Sequence, residues 1–400
     1  MYQVIVIGGG YGGLRAIEHL YKSKDAEITL IDKNPYHYMQ TESYGYIAGR
    51  FDITDVALDL EHWCRGFDER VKFICAKVRH IDFEKQTLVY EQKHIAYDEL
   101  IIAVGARTHF FSFIQGLKAH SFGVKSLERS FGLRQAFEKR IYQKLTKEMI
   151  EREGDLHIVV GGAGLSGVEI AAEMAYMLKK YEKVLGSHVK EISITLIDAS
   201  ETILPGLDPY LIEKSQKRLE SLGVNVRRGA FIEKVEERKI FFKEGEPVFY
   251  DFMIFTGGIE AAVLTKQIDV PKNSIGQFIV DERLHVGGKE NVYAIGDCIE
   301  LRDRSGSILP PTAQMAEKSA AYVAKEIKCK RERKENHQSF HATMDGLFVA
   351  LGGNYAAGIL YDRIKVSGIL GFLLKKLVSR GYRLGLEIKV NAGYKKRIKR

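Results

Sequence analysis

Two glycine runs, each followed by a strand that ends in an acid, are the residues of this chain whose spacing points to chemistry. Gly8, Gly10 and Gly13 stand in VIVIGGGYGGL, between a β-branched run over 4–8 and a helical pattern from Leu14 to about Ser23. In such a turn the first glycine takes the tight bend, the second lets a pyrophosphate approach the main chain, and the third lets helix and strand pack closely. The helix aims its N-terminal amides and positive dipole at the phosphates. Residues 27–31 read as the next strand, and Asp32 at its end lies 19 residues beyond Gly13, near the roughly 20 expected of a carboxylate on a ribose hydroxyl. The pattern returns at Gly162, Gly164 and Gly167 in HIVVGGAGLSGVE, with Asp198 closing a strand over 192–197. Here the spacing from Gly167 to Asp198 is 31, so the helix or loop between them must be longer. No Arg or Lys occurs over 199–205, and Asp198 repels a 2′-phosphate, so this second site prefers NADH to NADPH.

Other elements must position these groups. YDELIIAVG (97–105) and YDFMIFTGG (250–258) share one grammar, a buried strand ending in Gly105 or Gly258 where the backbone can pass a cofactor closely. Two nucleotide-binding units with matching closing strands make an internal duplication. NVYAIGDC (291–298) presents Asp297 at a strand end, where its carboxylate either binds a cofactor polyol or caps the next helix. A helix over 310–327 follows, with two prolines ahead of its first turn. The aromatic stretch over 34–52 is either a loop over a bound cofactor or a surface loop leading to a short helix at 55–63. Residues 127–152 read as a charged, solvated helix and 325–338 as a polar link.

With 400 residues, 45% hydrophobic and 28% charged, the chain can build two or three domains with substantial cores. The first strand starts at Val4, so a secretory leader is not expected. Four cysteines are scattered without a CxxC pair or metal-like cluster, which argues for a reducing compartment. No apolar run reaches the roughly 18 residues needed to span a bilayer. The net charge of +8 is concentrated at one end: from Lys365 onward eleven cations face the single acid Glu387, a net +10, so the rest totals −2. Over 366–386, apolar Val366, Ile369, Leu370, Leu373, Leu374, Leu377 and Val378 share a helical face, with cations largely elsewhere. Such a helix lies on an anionic membrane surface; packing on the protein itself or in a homodimer is the alternative. The tail has no aromatic platform for base stacking, so no specific nucleic acid is expected.

Together these motifs resemble the two-dinucleotide-binding-domain flavoproteins, and within them the type II NADH:quinone oxidoreductases. The likeness runs over nearly the whole chain. It implies FAD in the first unit, held by Gly8, Gly10, Gly13, Asp32, Gly105 and Asp297, with Thr41 near the isoalloxazine. It implies NADH in the second, held by Gly162, Gly164, Gly167, Asp198 and Gly258, and a membrane quinone as acceptor. Glu169 in GLSGVE matches a family glutamate near the meeting of nicotinamide and flavin. In the family's quinone-site pattern AQxAxQ, Gln314 is kept while Lys318 replaces the second glutamine. A lysine there can hydrogen-bond a quinone carbonyl, or signal another acceptor.

The expected fold is α/β with two Rossmann-like, doubly wound nucleotide-binding domains and a C-terminal membrane-contacting segment. The FAD domain is discontinuous over 1–110 and 277–340, the NADH domain covers 111–276, and 341–400 forms the basic amphipathic segment, peripheral on the cytoplasmic face and separable from the redox unit. The alternatives are a sulfide:quinone oxidoreductase, which requires a redox cysteine pair, and an NADH-reducible flavoprotein with a non-quinone acceptor or sensing role.

Overall fold

The computed structural model describes residues 1–145, 156–185, 192–303 and 306–398. The β-branched opening run forms β1 (Tyr2–Ile7), followed by α1 (Tyr11–Leu20), β2 (Ala26–Asp32), the short helix α2 (Leu60–Arg65), β3 (Val71–Cys75) and β4 (Glu99–Ile102). The second unit repeats that plan with β5 (Leu156–Gly161), α3 (Leu165–Leu185), β6 (Ile192–Ile197), α4 (Pro209–Leu222), β7 (Asn225–Arg227) and β8 (Phe252–Phe255). The chain then returns to the first sheet with β9 (His285–Val286) and β10 (Lys289–Ala294).

The sheets run β9-β10-β4-β1-β2-β3 and β7-β6-β5-β8, all parallel except the β9–β10 hairpin. Without that hairpin and β10 the order is identical, which is the duplication expected from the sequence. Continuous apolar strands suit sheets covered on both faces; Val4, Val6, Ile158 and Val160 are fully buried. In each sheet the chain reverses direction beside the first strand, where doubly wound folds open a crevice. Helix α3 has 21 residues against 10 in α1, which accounts for the longer spacing to Asp198. Ala106–Thr108 and Ile259–Ala261 pair as antiparallel straps joining the units.

Three expectations shift. The helix expected at 55–63 is broken, because Ala57–Asp59 pairs as a strand with Tyr36–Tyr38. The long helix expected at 127–152 is seen as Leu127–Leu145, its remainder lying outside the described residues. Helix α5 (Ala313–Arg331) runs into the supposed polar link, because Lys330 and Arg331 pair with fully buried Glu99 at the foot of β4.

The last segment is more than a tail. β11 (Gly346–Ala350), β12 (Ala356–Leu360) and β13 (Ile364–Ser367) form an antiparallel sheet. Helix α6 (Gly368–Ile398) then starts after Gly368, in a left-handed turn at φ +75°, so Val366 belongs to β13. Its inner face makes two close crossings: a Cβ on Gly371 would lie 2.5 Å from the Ala356 carbonyl oxygen, and one on Gly393 1.9 Å from that of His62. Its outer face leaves Ile369, Leu370, Leu373, Leu377, Val378, Leu384 and Ile388 each more than half exposed. Among the described residues no helix is long and apolar enough to cross a membrane.

Candidate active site

The two glycine turns superimpose in their constraints. Gly8 and Gly162 hold φ of +110° and +101°, a region that disfavours side chains. A Cβ on Gly13 would stand 1.8 Å from the Gly8 carbonyl oxygen, and one on Gly167 1.8 Å from that of Gly162. Gly10 and Gly164 instead face open space within 4 Å, as a backbone that receives a pyrophosphate requires. Asp32 accepts hydrogen bonds from the backbone N–H of Gly9 and Asn34, both at 2.7 Å. Asp198 accepts from Ala163 and Ser200 in the same pattern. Burial raises the Asp32 carboxyl, against the pull of those two amides. Each cradle therefore offers open backbone, a helix N-terminus and an acid fixed by the turn, which fits a dinucleotide twice.

The remaining cofactor-facing residues fall around these cradles. Gly105, at φ +65°, and Gly258 end the approaches from β4 and β8. Asp297 stands in a single 3-10 turn beside the N-terminal end of α5, 3.6 Å from the Lys125 amine. Thr41 accepts or donates a 2.7 Å hydrogen bond with Tyr11 at the start of α1. Beside Asp198, the Arg227 carbonyl accepts the Asp198 N–H at 3.0 Å, which brings exposed Arg228 alongside through β7 pairing. A search confined to the residues after Asp198 does not find it.

His37 is the buried link between first cradle and surroundings. Its Nδ1 lies 2.8 Å from the Gly9 carbonyl oxygen and its Nε2 3.1 Å from the Tyr382 hydroxyl. Burial lowers its pKa to about 4, against about 6.5 in an unfolded chain. On acidification the unfolded chain therefore binds this proton first. The stabilisation is complete above pH 6.5 and is lost as pH falls toward 4, by up to about 3 kcal/mol. Urea unfolding at stepped pH should show this slope between pH 6.5 and 5, and His37→Gln should flatten it.

Between α6 and the aromatic stretch lies a groove of about 470 Å³, lined by apolar Met39, Phe51, Phe372 and Leu384 and by Glu42, Tyr44, Lys375 and Arg380 among others. Behind Lys375 of the wall, Glu169, one turn into α3, receives the Ala350 N–H at 2.9 Å and the Lys375 ammonium at 3.3 Å. Lys375 also donates to the Tyr44 hydroxyl at 3.3 Å, and Ser379 donates to Glu42 at 2.6 Å. Burial raises the Glu169 carboxyl, and Lys375 pulls it back. Burial alone would lower Lys375, but Glu169, Tyr44 and Glu42 outweigh it and hold the amine above the usual lysine range.

Gln314 and Lys318 lie elsewhere. The Gln314 side-chain oxygen accepts the Asp345 N–H at 2.9 Å, and the Lys318 amine bonds the Asp345 carboxylate at 2.6 Å and the Thr343 carbonyl at 2.7 Å. Both brace the approach to β11. A further pair escaped the sequence: Arg50 meets fully buried Glu173, one turn beyond Glu169, at 3.0 Å, and donates to the Gly353 carbonyl. It clamps the aromatic stretch onto α3. The two residues lie 123 positions apart, and no local pattern joins them.

Comparison with known proteins shows the family and the fold. The family model described as pyridine nucleotide-disulphide oxidoreductase matches residues 2–320. The chain is 27% identical over 373 residues to the NADH dehydrogenase-like protein YutJ of Bacillus subtilis, covering 91% of this chain and 94% of that one. It is 28% identical over 391 residues to a type II NADH:quinone oxidoreductase of Staphylococcus epidermidis, covering 96% of each. In structure it resembles NDH2 from Plasmodium falciparum in complex with NADH, with a TM-score of 0.84 at 19% identity, over 100% of this chain and 98% of the other.

Proposed function

The chain belongs to the pyridine nucleotide-disulphide oxidoreductase family, and from that premise we propose that it is a type II NADH:quinone oxidoreductase that does not pump protons. FAD lies in the first cradle, NADH in the second, and a membrane quinone enters the groove. The placement of Glu169 carries this reading. It leaves the helix of the second cradle and meets Lys375 in the groove wall, beside Glu42 of the Thr41 turn.

When bound, FAD takes a hydride from NADH and passes two electrons to the quinone. The chain's part is to align the partners, exclude water and supply a proton. Overall NADH, one proton and the quinone give NAD+ and the quinol, so the chain has one proton to supply. The Lys375 ammonium donates it to a developing quinolate oxygen, and Glu169, at 3.3 Å, takes up a proton from the solvent side of the groove and returns it to the amine. Glu169 suits that task because burial raises its carboxyl toward the working pH. The contacts of Gln314 and Lys318 support bracing of Asp345 rather than touching the quinone. Asp198 supports NADH over NADPH, while exposed Arg228 beside it supplies a cation that a 2′-phosphate could meet.

The outer stripe of α6, flanked by Lys376 and Arg380, supports peripheral docking on an anionic leaflet at the cytoplasmic face, where NADH is available. Removing two of its leucines, Leu373→Gln with Leu377→Gln, should weaken binding to anionic vesicles about 100-fold by flotation, since each loses ~1–2 kcal/mol of burial in lipid. The sulfide reading finds less support. Cys298 is buried with its Sγ on the Ile295 and Ile102 carbonyls, and burial pushes its thiol up to about 12, so no thiolate forms at neutral pH. Steady-state turnover with a soluble quinone and NADH, NADPH or sulfide tests the proposal. NADH should drive turnover most strongly; turnover driven by sulfide instead would overturn it.

A further inference from the structure

Helix α6 turns its apolar stripe outward, and its inner face reaches the first cradle. Tyr382 sets its ring against Tyr11, with centroids 4.8 Å apart, and its hydroxyl 3.1 Å from His37 Nε2. A carbonyl only accepts, so the His37 nitrogen facing Gly9, Nδ1, carries the proton. In the neutral ring Nε2 is then an acceptor, and the Tyr382 hydroxyl must donate to it. The chain Tyr382–His37–Gly9 is thus directional, and Tyr382 completes it.

Gly9 is held from both sides. Its N–H is bound to Asp32 at 2.7 Å and its carbonyl to His37 at 2.8 Å, so the peptide between Gly8 and Gly10 is fixed by one acid of the cradle and one residue tied to the terminal helix. Tyr11 continues the contact, since its hydroxyl reaches Thr41. The helix is seated here by backbone contact rather than loose packing. A Cβ on Gly66 would stand 2.1 Å from the Lys389 carbonyl oxygen, and Tyr394 stacks on His62 at 3.7 Å.

We propose that Tyr382 is a positioning residue for the first dinucleotide cradle: through His37 it fixes the Gly9 turn, so that the cofactor is retained only while the terminal helix is docked. The helix that lies on the membrane is then also the latch of the cofactor site. The helix is then not separable from the redox unit, contrary to the expectation from the sequence. This inference rests on the first cradle holding FAD.

The test is the rate at which the purified full-length holoprotein releases flavin, followed by the fluorescence of free FAD. Tyr382→Phe, which keeps the ring on Tyr11 and removes only the hydroxyl, should release flavin about tenfold faster, the scale set by one unsatisfied buried hydrogen-bonding group. His37→Phe should do the same, and the double variant should be no faster than either single one, because both break one chain. Leu386→Ala, which trims the buried packing of the same helix while leaving it docked and these bonds in place, should lower thermal stability but leave release near the wild-type rate. Wild-type release from Tyr382→Phe, additive effects in the double variant, or equal acceleration by Leu386→Ala would each overturn the inference. A wild-type protein that carries no flavin at all would instead overturn the functional reading on which it stands.

Discussion

Replacing Lys375 with methionine should slow reoxidation of the reduced protein by quinone about 100-fold, the scale of a lost general acid, while NADH reduces it at a rate within a few-fold of the wild type. The asymmetry follows from where the amine stands. Lys375 lines the groove and meets Glu169 and Tyr44, but makes no contact with either glycine turn. The single variant also leaves Glu169 and Glu42 buried without their cation, which costs ~3–5 kcal/mol if the carboxylates stay charged. Glu169 would take a proton instead. Lys375→Met combined with Glu169→Gln removes that stranded charge and should restore much of the stability while the quinone step stays slow. If both half-reactions fall together in the double variant, Lys375 is structural and the proton assignment is wrong.

The two cradles should be separable by single glycine-to-valine substitutions. Gly167→Val should raise the KM for NADH at least about 100-fold while the protein still binds flavin, and Gly13→Val should yield flavin-free protein. In each case the new Cβ falls 1.8 Å from a carbonyl oxygen, far inside contact distance, and the obstructing atom is backbone that cannot swing aside. The helix must move off its strand, and the phosphate-binding amides at its N-terminus move with it. The losses are local because each clash lies within one unit's own turn. Flavin content by absorbance after acid release and NADH affinity by titration read the two arms; loss of both functions in each variant would mean that the cradles are not independent.

What the sequence made legible here is what backbone geometry dictates. Only glycine tolerates φ near +110° at Gly8 or a neighbouring oxygen at Gly13, so the cradles and their acids can be read residue by residue. The groove stayed hidden for a physical reason. Amphipathic periodicity identifies an apolar face of 368–398 but not which face meets protein, and in α6 the usual order is inverted. Leu370, Leu373, Leu377 and Leu384 face outward while Lys375, Ser379 and Tyr382 face in, satisfied by partners more than 300 positions away. The Arg50–Glu173 clamp is equally non-local. The break at 57–59 comes from pairing with Tyr36–Tyr38, a tertiary contact that overrides helical pattern.

Anaerobic stopped-flow tests the central claim most directly: mix the purified protein with NADH, follow flavin absorbance, then add ubiquinone or menaquinone analogues. A rapid fall in absorbance followed by rapid recovery is expected, each step at least as fast as steady-state turnover. No fall with NADH, or a fall that no quinone reverses, would contradict the claim.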